Sequence, residues 1–313
     1  MNKKVVVLGG GTGVSTLLKG LKEFPIDINA VVSVCDDGKS TGRLRKEFKI
    51  PAVGDIRKVL VSLSATEPLV EQLLNYRFKT TSDLNGHTVG NILLTALTNI
   101  TGNMSDGIES LGKVLNLKGK VLPLTEDNVI LMGKMSDGSI IEGEHNITSD
   151  KNKIESVFYK EKPIINPLVI NSIINADLII LSMGSIYTSI LPNLICDDVI
   201  KAIDESKAKI FYVCNMMTQP GETDGFMVSD HVNLLNSYLG ERKIDVVIAN
   251  NSKIDEDIRI KYETLEQKDQ VLLDIENINS EVIQDDFIQI QDETIRHNYM
   301  KLAFYIFSHL LNK

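Results

Sequence analysis

Hydrophobic positions along the chain switch repeatedly between a strand-like and a helix-like spacing. Val5 to Leu8 is a continuous apolar run, followed by a glycine loop and a helical pattern at Val14, Leu17, Leu18 and Leu21. A second β-type run, Ala30 to Val34, comes next. Strand, loop, helix, strand is the opening of a βαβ unit with parallel strands. Neither run alternates apolar with polar, as expected of strands covered on both faces. From Asp55 to about Leu115 the spacing is helical. Leu60, Leu63, Leu69, Leu73, Leu74, Leu93, Leu94 and Leu97 supply the apolar stripes.

Residues 119–162 read differently. Val121-Leu122, Val129 to Met132, Ile140-Ile141 and Val157 to Tyr159 are short β-type runs, with turns at Asp137-Gly138 and Gly143. This predicts a small β-rich insertion. A second α/β half follows, with strands at Leu178 to Leu181, Ile210 to Cys214 and Val246 to Ala249. Helical patterns near Leu168 to Ile174, Val199 to Ile203 and Val232 to Leu239 separate them. Ile295, Tyr299, Leu302, Ile306, Phe307 and Leu310 recur at helical spacing and predict a C-terminal helix over 294–312. Packing on the sheet is its plain role; a homodimer contact is the alternative. No repeat or linker divides the chain, so residues 1–313 read as one α/β domain with a parallel sheet flanked by helices.

Composition narrows the function. Thirty-three Lys and Arg against 42 Asp and Glu give a net charge of −9. That excludes bulk attraction to nucleic acid or to an anionic membrane, though not a local basic pocket. With 43% hydrophobic residues, disorder throughout is excluded. Cys35, Cys196 and Cys214 form no CxxC pair, so neither a disulfide framework nor a cysteine zinc site is expected. A reducing, cytoplasmic location fits this usage. The apolar run after Met1 is cut short by Gly9 to Gly13 and does not read as a secretion signal. No run reaches the ~18–20 apolar residues of a membrane span.

Six clusters carry candidate chemistry. Gly9 to Gly13, between strand and helix, lets a phosphate approach the backbone at a helix N-terminus; Gly10, Gly11, Thr12 and Gly13 are the candidates. The dinucleotide fingerprint fails at Val14, and no Lys-Ser/Thr pair completes a P-loop. Asp36 to Arg45 follows the second strand. Paired Asp36 and Asp37 suit Mg²⁺ or activation of a hydroxyl, Ser40 suits phosphate, and Arg43 or Arg45 an anion clamp. In Gly54 to Lys58, Asp55 reads equally as a helix N-cap. His87 to Asn91 opens a helix and repeats the anion-site logic at Gly90-Asn91. Gly184 to Ser189 places Gly184 and Ser185 after a strand. In Cys214 to Thr223, also after a strand, Asn215, Thr218 and Gln219 are neutral hydrogen-bonding groups suited to a base or sugar. A parallel sheet would bring the clusters that follow strands to one edge, which points to a nucleotide or nucleotide-sugar site.

Together, and in order from Val5 to about Asn250, these segments resemble the bacterial gluconeogenesis factor family, a sister of the 2-phospho-L-lactate transferases. The runs Tyr187-Thr188-Ser189 with Leu191-Pro192-Asn193, and Met217 to Thr223, resemble the gluconeogenesis factor branch more closely. The resemblance implies a modified Rossmann-like fold and a cytoplasmic protein. It implies a regulator tied to cell shape and wall synthesis during growth on gluconeogenic carbon. Its ligand would be a UDP-sugar such as UDP-N-acetylglucosamine, its partner a cell-wall regulatory protein. No tightly bound organic cofactor is implied.

Carried over, Gly11 and Thr12 would contact phosphate. Asp36 and Asp37 would sit where the transferases place metal and acceptor hydroxyl. Asn91, Ser185, Asn215 and Thr218 would line the nucleotide pocket. Lys39 stands where glycine or serine is expected, and Lys58 where asparagine is expected. A Mg²⁺-dependent transferase, moving a phospholactyl group from a nucleotide to a deazaflavin alcohol, is the competing reading. An NAD(P) oxidoreductase ranks below both, because Val14 breaks the fingerprint.

Overall fold

The structure of the protein is a computed structural model that describes residues 2–150, 152–291 and 294–311. Its first half runs β1 (Lys3–Gly9), α1 (Gly11–Leu21), β2 (Ile26–Val32), α2 (Lys39–Phe48), α3 (Gly54–Leu63), α4 (Pro68–Asn75), α5 (Val89–Thr101), α6 (Met104–Val114) and β3 (Lys120–Pro123). An antiparallel unit follows: β4 (Leu131–Met135), β5 (Ile140–Glu142), α7 (Glu144–Ser149) and β6 (Ile154–Tyr159). The second half continues with α8 (Pro167–Ile174), β7 (Leu178–Leu181), α9 (Leu191–Leu194), α10 (Asp197–Glu205), β8 (Lys209–Val213), α11 (Val228–Tyr238) and β9 (Val246–Asn250). It closes with α12 (Glu256–Lys261), β10 (Glu281–Asp285), β11 (Ile288–Gln291), β12 (Thr294–His297) and α13 (Tyr299–Leu311).

Seven strands form one parallel sheet in the order β10-β9-β8-β7-β1-β2-β3. This is the modified Rossmann-like sheet. β1 lies between β2 and β7, and Val5 to Leu8 have no solvent exposure. Each such aliphatic side chain contributes about 1.5–3 kcal/mol over an exposed one. The chain builds β2 and β3 to one side of β1 and β7 to β10 to the other. From β1 the chain goes on to β2 and from β7 to β8, in opposite directions across the sheet, a topological switch point with a crevice at its carboxyl edge.

Several elements differ from the sequence expectation. β2 starts at Ile26, because the polar Asp27 and Asn29 interrupt the apolar run without ending the strand. Val121-Leu122 belongs to β3, the edge strand of the main sheet, so the antiparallel unit begins only at β4. α2 has no apolar period, yet it is a helix that buries Ser40, Thr41, Gly42 and Arg45 with Leu44. The C-terminal helix starts at Tyr299 rather than Thr294. Ile295 sits in β12, paired with Ile290 of β11. Asn298 Oδ1 accepts the Lys301 N–H at 3.0 Å, which caps α13 and separates hairpin from helix. The end of the expected helix, residue 312, lies outside the described residues.

Leu302, Ala303, Ile306 and Leu310 of α13 are buried, and Phe307 stacks on Phe24 at 4.9 Å. α13 packs on α1 where Gly20 meets the Tyr299 carbonyl: a Cβ on Gly20 would lie 2.2 Å from that oxygen. Gly20→Ala improves helix propensity by about 1 kcal/mol but overpacks this contact, which typically costs about 1–3 kcal/mol. Net destabilisation in denaturant unfolding is expected, with α13 displaced.

α13 is also anchored at the end of β10. Tyr305 Oη donates to Asp285 Oδ2 at 2.5 Å and Lys301 Nζ lies 2.9 Å from Asp285 Oδ1. The Tyr305 hydrogen bond, then Lys301, holds the Asp285 carboxyl down to about 2. A depressed acid stabilises above its unfolded value and loses that stability as pH falls through the folded value. Asp285→Asn should lower the Tm at pH 7 and flatten its dependence between about pH 4 and pH 2.

Candidate functional site

A cleft of about 650 Å³ opens at the carboxyl ends of β1, β7 and β8. The β1 loop supplies Gly10, Thr12 and Gly13. The β7 loop supplies Gly184, Ser185 and Ser189, and the β8 loop Asn215, Thr218 and Gln219. The loop can come this close only without side chains. A Cβ on Gly13 would stand 1.7 Å from the Met183 carbonyl oxygen, and Gly11 has φ +62°, in the left-handed region. α1 begins here with Gly10 as its N-cap, no side-chain cap and no acid in its first turn. Its free N–H groups and positive dipole end favour an anion.

The other walls are mostly neutral amides and hydroxyls. Asn215 Nδ2 donates to the Gly184 carbonyl at 2.9 Å, and its buried Oδ1 has no partner among the described residues. The Thr218 N–H donates to the Asp269 carbonyl, and the Asp269 N–H returns to Thr218 Oγ1, both at 2.8 Å. These bonds tie the β8 loop to an outer wall that sequence reasoning missed: Tyr262, Glu266, Lys268, Arg296 and His297. That wall has its own small apolar cluster, Met216, Ile254, Tyr262 and Ile295, apart from the main core. Arg296 is exposed at the mouth, where Lys268 Nζ lies 2.7 Å from Glu266 and its charge is offset by that acid. His297 Nε2 donates to the Cys214 carbonyl at 3.0 Å, and burial pushes its ring down to about 4, so it is neutral. No hydrophobic period marks this wall, which leaves little for a sequence to reveal.

Glu222 lies behind the cleft. Ser185 Oγ donates to its Oε2 and Gln219 Nε2 to its Oε1, each at 2.5 Å. Burial pushes the carboxyl up to about 7, against these hydrogen bonds. Its one sequence signal is a charge within an otherwise neutral run.

A second group lies across the glycine loop. A Cβ on Gly10 would be 3.0 Å from Asp55 Oδ2, and one on Gly54 2.6 Å from Asp36 Oδ2. Asp55 is not the N-cap; it sits inside the first turn of α3 and pairs with Lys58 at 2.9 Å. Lys58, where asparagine was expected, thus neutralises a buried acid. Burial, then the Asp55 charge, raises the Asp36 carboxyl. Burial, then Asp36 and Asp55, pushes Glu144 from α7 up to about 7.

Asp36 and Asp37 diverge. Asp37 Oδ1 accepts the His145 N–H at 2.8 Å, at the start of α7. It holds the start of the insertion helix, so the two neighbours in sequence face different surroundings. Among the described residues no three His, Cys, Asp or Glu side chains are gathered to hold a metal. Mg²⁺ commonly uses one or two carboxylates with phosphate oxygens and water. The donor set fits attachment through Asp36, not a chelate by Asp36 and Asp37 together.

Other expected residues lie outside the cleft lining. Gly11 adjoins it, on the Asp55 side of the loop. Ser40 Oγ accepts from Asn91 Nδ2 at 3.2 Å and bonds His87 Nδ1 at 2.9 Å, forming a buried polar knot between α2 and α5. Burial, then Arg43, lowers the His87 ring. Arg43 donates to the carbonyls of Asp83 and Asn85. Arg45 donates to those of Cys35, Asp36 and Val129 and to Asn128. Both guanidinium groups are committed to these partners, so neither is placed as an anion clamp in the cleft. Lys39 has φ +34°, a backbone that favours the glycine expected there.

Three comparisons agree on the family. The family described as 2-phospho-L-lactate transferase CofD matches residues 5–288. The gluconeogenesis factor of Bacillus subtilis is 46% identical over 305 residues, covering 96% of this chain and 96% of that one. The gluconeogenesis factor of Halalkalibacterium halodurans is 44% identical over 306 residues, covering 96% of this chain and 94% of its own length. A crystal structure of a Bacillus halodurans protein, 43% identical, superimposes with a TM-score of 0.95 over 98% of this chain and 100% of that one. The chain belongs to the 2-phospho-L-lactate transferase CofD family, and to the gluconeogenesis factors within it.

Proposed function

We propose that the protein is a cytoplasmic regulator that binds a UDP-sugar in the cleft between β1, β7 and β8 and couples carbon supply to cell-wall synthesis. One observation carries the binding half: the cleft joins an open helix N-terminus to walls of neutral amides. The first end suits a diphosphate, and the second suits a base and sugar hydroxyls. Arg296 at the mouth adds charge of the right sign, while Lys268 is paired with Glu266. Among the described residues no helix is long and apolar enough to cross a membrane. The regulatory half rests on the gluconeogenesis factor relatives and on the partner class that the resemblance implies.

Thr12, at the second position of α1, provides a test with opposite signs for fold and binding. Thr12→Asp adds an acid to a first turn that has none, which favours the helix by about 0.3–1 kcal/mol. The same charge repels a diphosphate. An unchanged or raised Tm is expected, with UDP-sugar affinity in calorimetry falling at least about tenfold, or 1.4 kcal/mol. Wild-type affinity in this variant would remove the helix terminus from the site.

A transferase reading is favoured by a different observation: the charge of the half-buried Asp36 adds to burial in raising the Glu144 carboxyl to about 7. A carboxyl lifted to about 7 by burial and by neighbouring acids can hold and pass a proton. Mg²⁺, if bound, would rest on Asp36 and supply charge to neutralise the ligand's phosphates. With Asp36 on the metal, the Glu144 carboxyl, at about 7, would receive the proton of an acceptor hydroxyl as the nucleotide leaves. Under the regulator reading, a UDP-sugar incubated with the protein, Mg²⁺ and candidate alcohols stays intact by mass spectrometry. Nucleotide release that is abolished by Asp36→Asn would establish the transferase instead.

A further inference from the structure

Glu222 is 1% exposed in the loop after β8, and its hydrogen-bond partners are neutral. The charged group nearest it in effect is another acid, Asp224. Burying a carboxyl without a cation is expensive, and a glutamine of the same size would avoid the expense. Something in the arrangement needs two acceptors there.

Each oxygen serves a different wall of the cleft. Oε2 accepts from Ser185 Oγ at 2.5 Å and from the Tyr187 N–H at 3.4 Å, both in the β7 loop. Oε1 accepts from Gln219 Nε2 at 2.5 Å, in the β8 loop. Ser185 Oγ also accepts the Thr188 N–H at 3.1 Å and the Thr188 hydroxyl at 2.8 Å. With its proton donated to Glu222 and its oxygen accepting from Thr188, that hydroxyl is turned toward the protein. Gln219 has committed an amide hydrogen, which turns its Oε1 away from Glu222.

We propose that Glu222 is a positioning residue of the cleft: by accepting a donor from each of two loops, it fixes which atoms of Gln219 and of the Ser185 turn face the bound nucleotide-sugar. The proposal rests on the nucleotide-sugar reading. Glutamine would keep the volume but exchange one oxygen for an NH₂. Against Gln219 it would set NH₂ on NH₂, and Gln219 would have to turn over and present its opposite end. Against Ser185 it would set an NH₂ where the hydroxyl donates. Aspartate keeps both acceptors and loses only a methylene.

The test uses the full chain at pH 8, titrated by calorimetry with UDP-N-acetylglucosamine, with Tm measured in parallel. Glu222→Gln should bind at least about tenfold more weakly, the scale of one or two hydrogen bonds, while its Tm equals or exceeds that of wild type. Glu222→Asp should recover at least half of that loss on a logarithmic scale. A packing role predicts the reverse order, so an aspartate variant weaker than the glutamine variant overturns the proposal. So does wild-type affinity in Glu222→Gln, or a fall in its Tm that accounts for the lost binding. A wild-type protein that binds no UDP-N-acetylglucosamine overturns the nucleotide-sugar reading and this proposal with it. The wild-type titration separates the two failures.

Discussion

Where α1 begins, the backbone of Gly13 lies against the Met183 carbonyl with no room for even a methyl group. β1 and β7 are neighbours in the sheet, so their loops leave its edge side by side. One of them must give up its side chains for α1 to start at once. The glycines of the first loop meet that demand, at an entropic cost to folding. The result is a helix terminus held rigidly at the switch point, with no side chain of its own to cap it. The cleft walls from β7 and β8 are arranged around that fixed end.

The same loop sorts charge. On one side lie amides, hydroxyls and a neutral histidine, with Glu266, Lys268 and Arg296 at the mouth; on the other lie Asp36, Asp55 and Glu144, with Lys58 as partial counter-charge. Carboxylates facing the helix terminus directly would compete with any bound phosphate. The two groups meet at a strip of bare backbone, where Asp55 adjoins Gly10 and Gly11 and Lys58 offsets its charge. Their meeting explains why two functional readings survive on one molecule: a binding cleft and an acid–base cluster share a border.

The parts of this arrangement written in apolar periodicity were legible. β1, β7 and β9, and the helices packed on them, are visible in runs such as Val5 to Leu8 and Leu178 to Leu181. So were the clusters at strand ends, because a parallel sheet collects them at one edge. The failures were written in polar contacts. α2 buries Ser40, Thr41 and Arg45, so it has no apolar stripe to find. Asp36 and Asp37 look alike in sequence, but only the fold shows that one faces Asp55 and the other holds α7. Ile295 fits a helix and a strand equally well by spacing, and Asn298 decides between them by capping α13. Glu222 was visible only as a charge in a neutral run; its Ser185 partner comes from a loop 37 residues away.

The outer wall of the cleft is built differently from the inner one. Met216, Ile254, Tyr262 and Ile295 form a cluster of four buried residues, whereas the inner wall hangs from the main core. Cooperative units with little buried apolar surface open at lower free energy than the whole molecule. Amide protons of α12 and the β11–β12 hairpin would therefore exchange with solvent through partial openings that leave β1 intact. Any molecule spanning both walls must first hold that unit shut. Part of its intrinsic affinity is spent as conformational order, and the protection it confers on those amides measures how much.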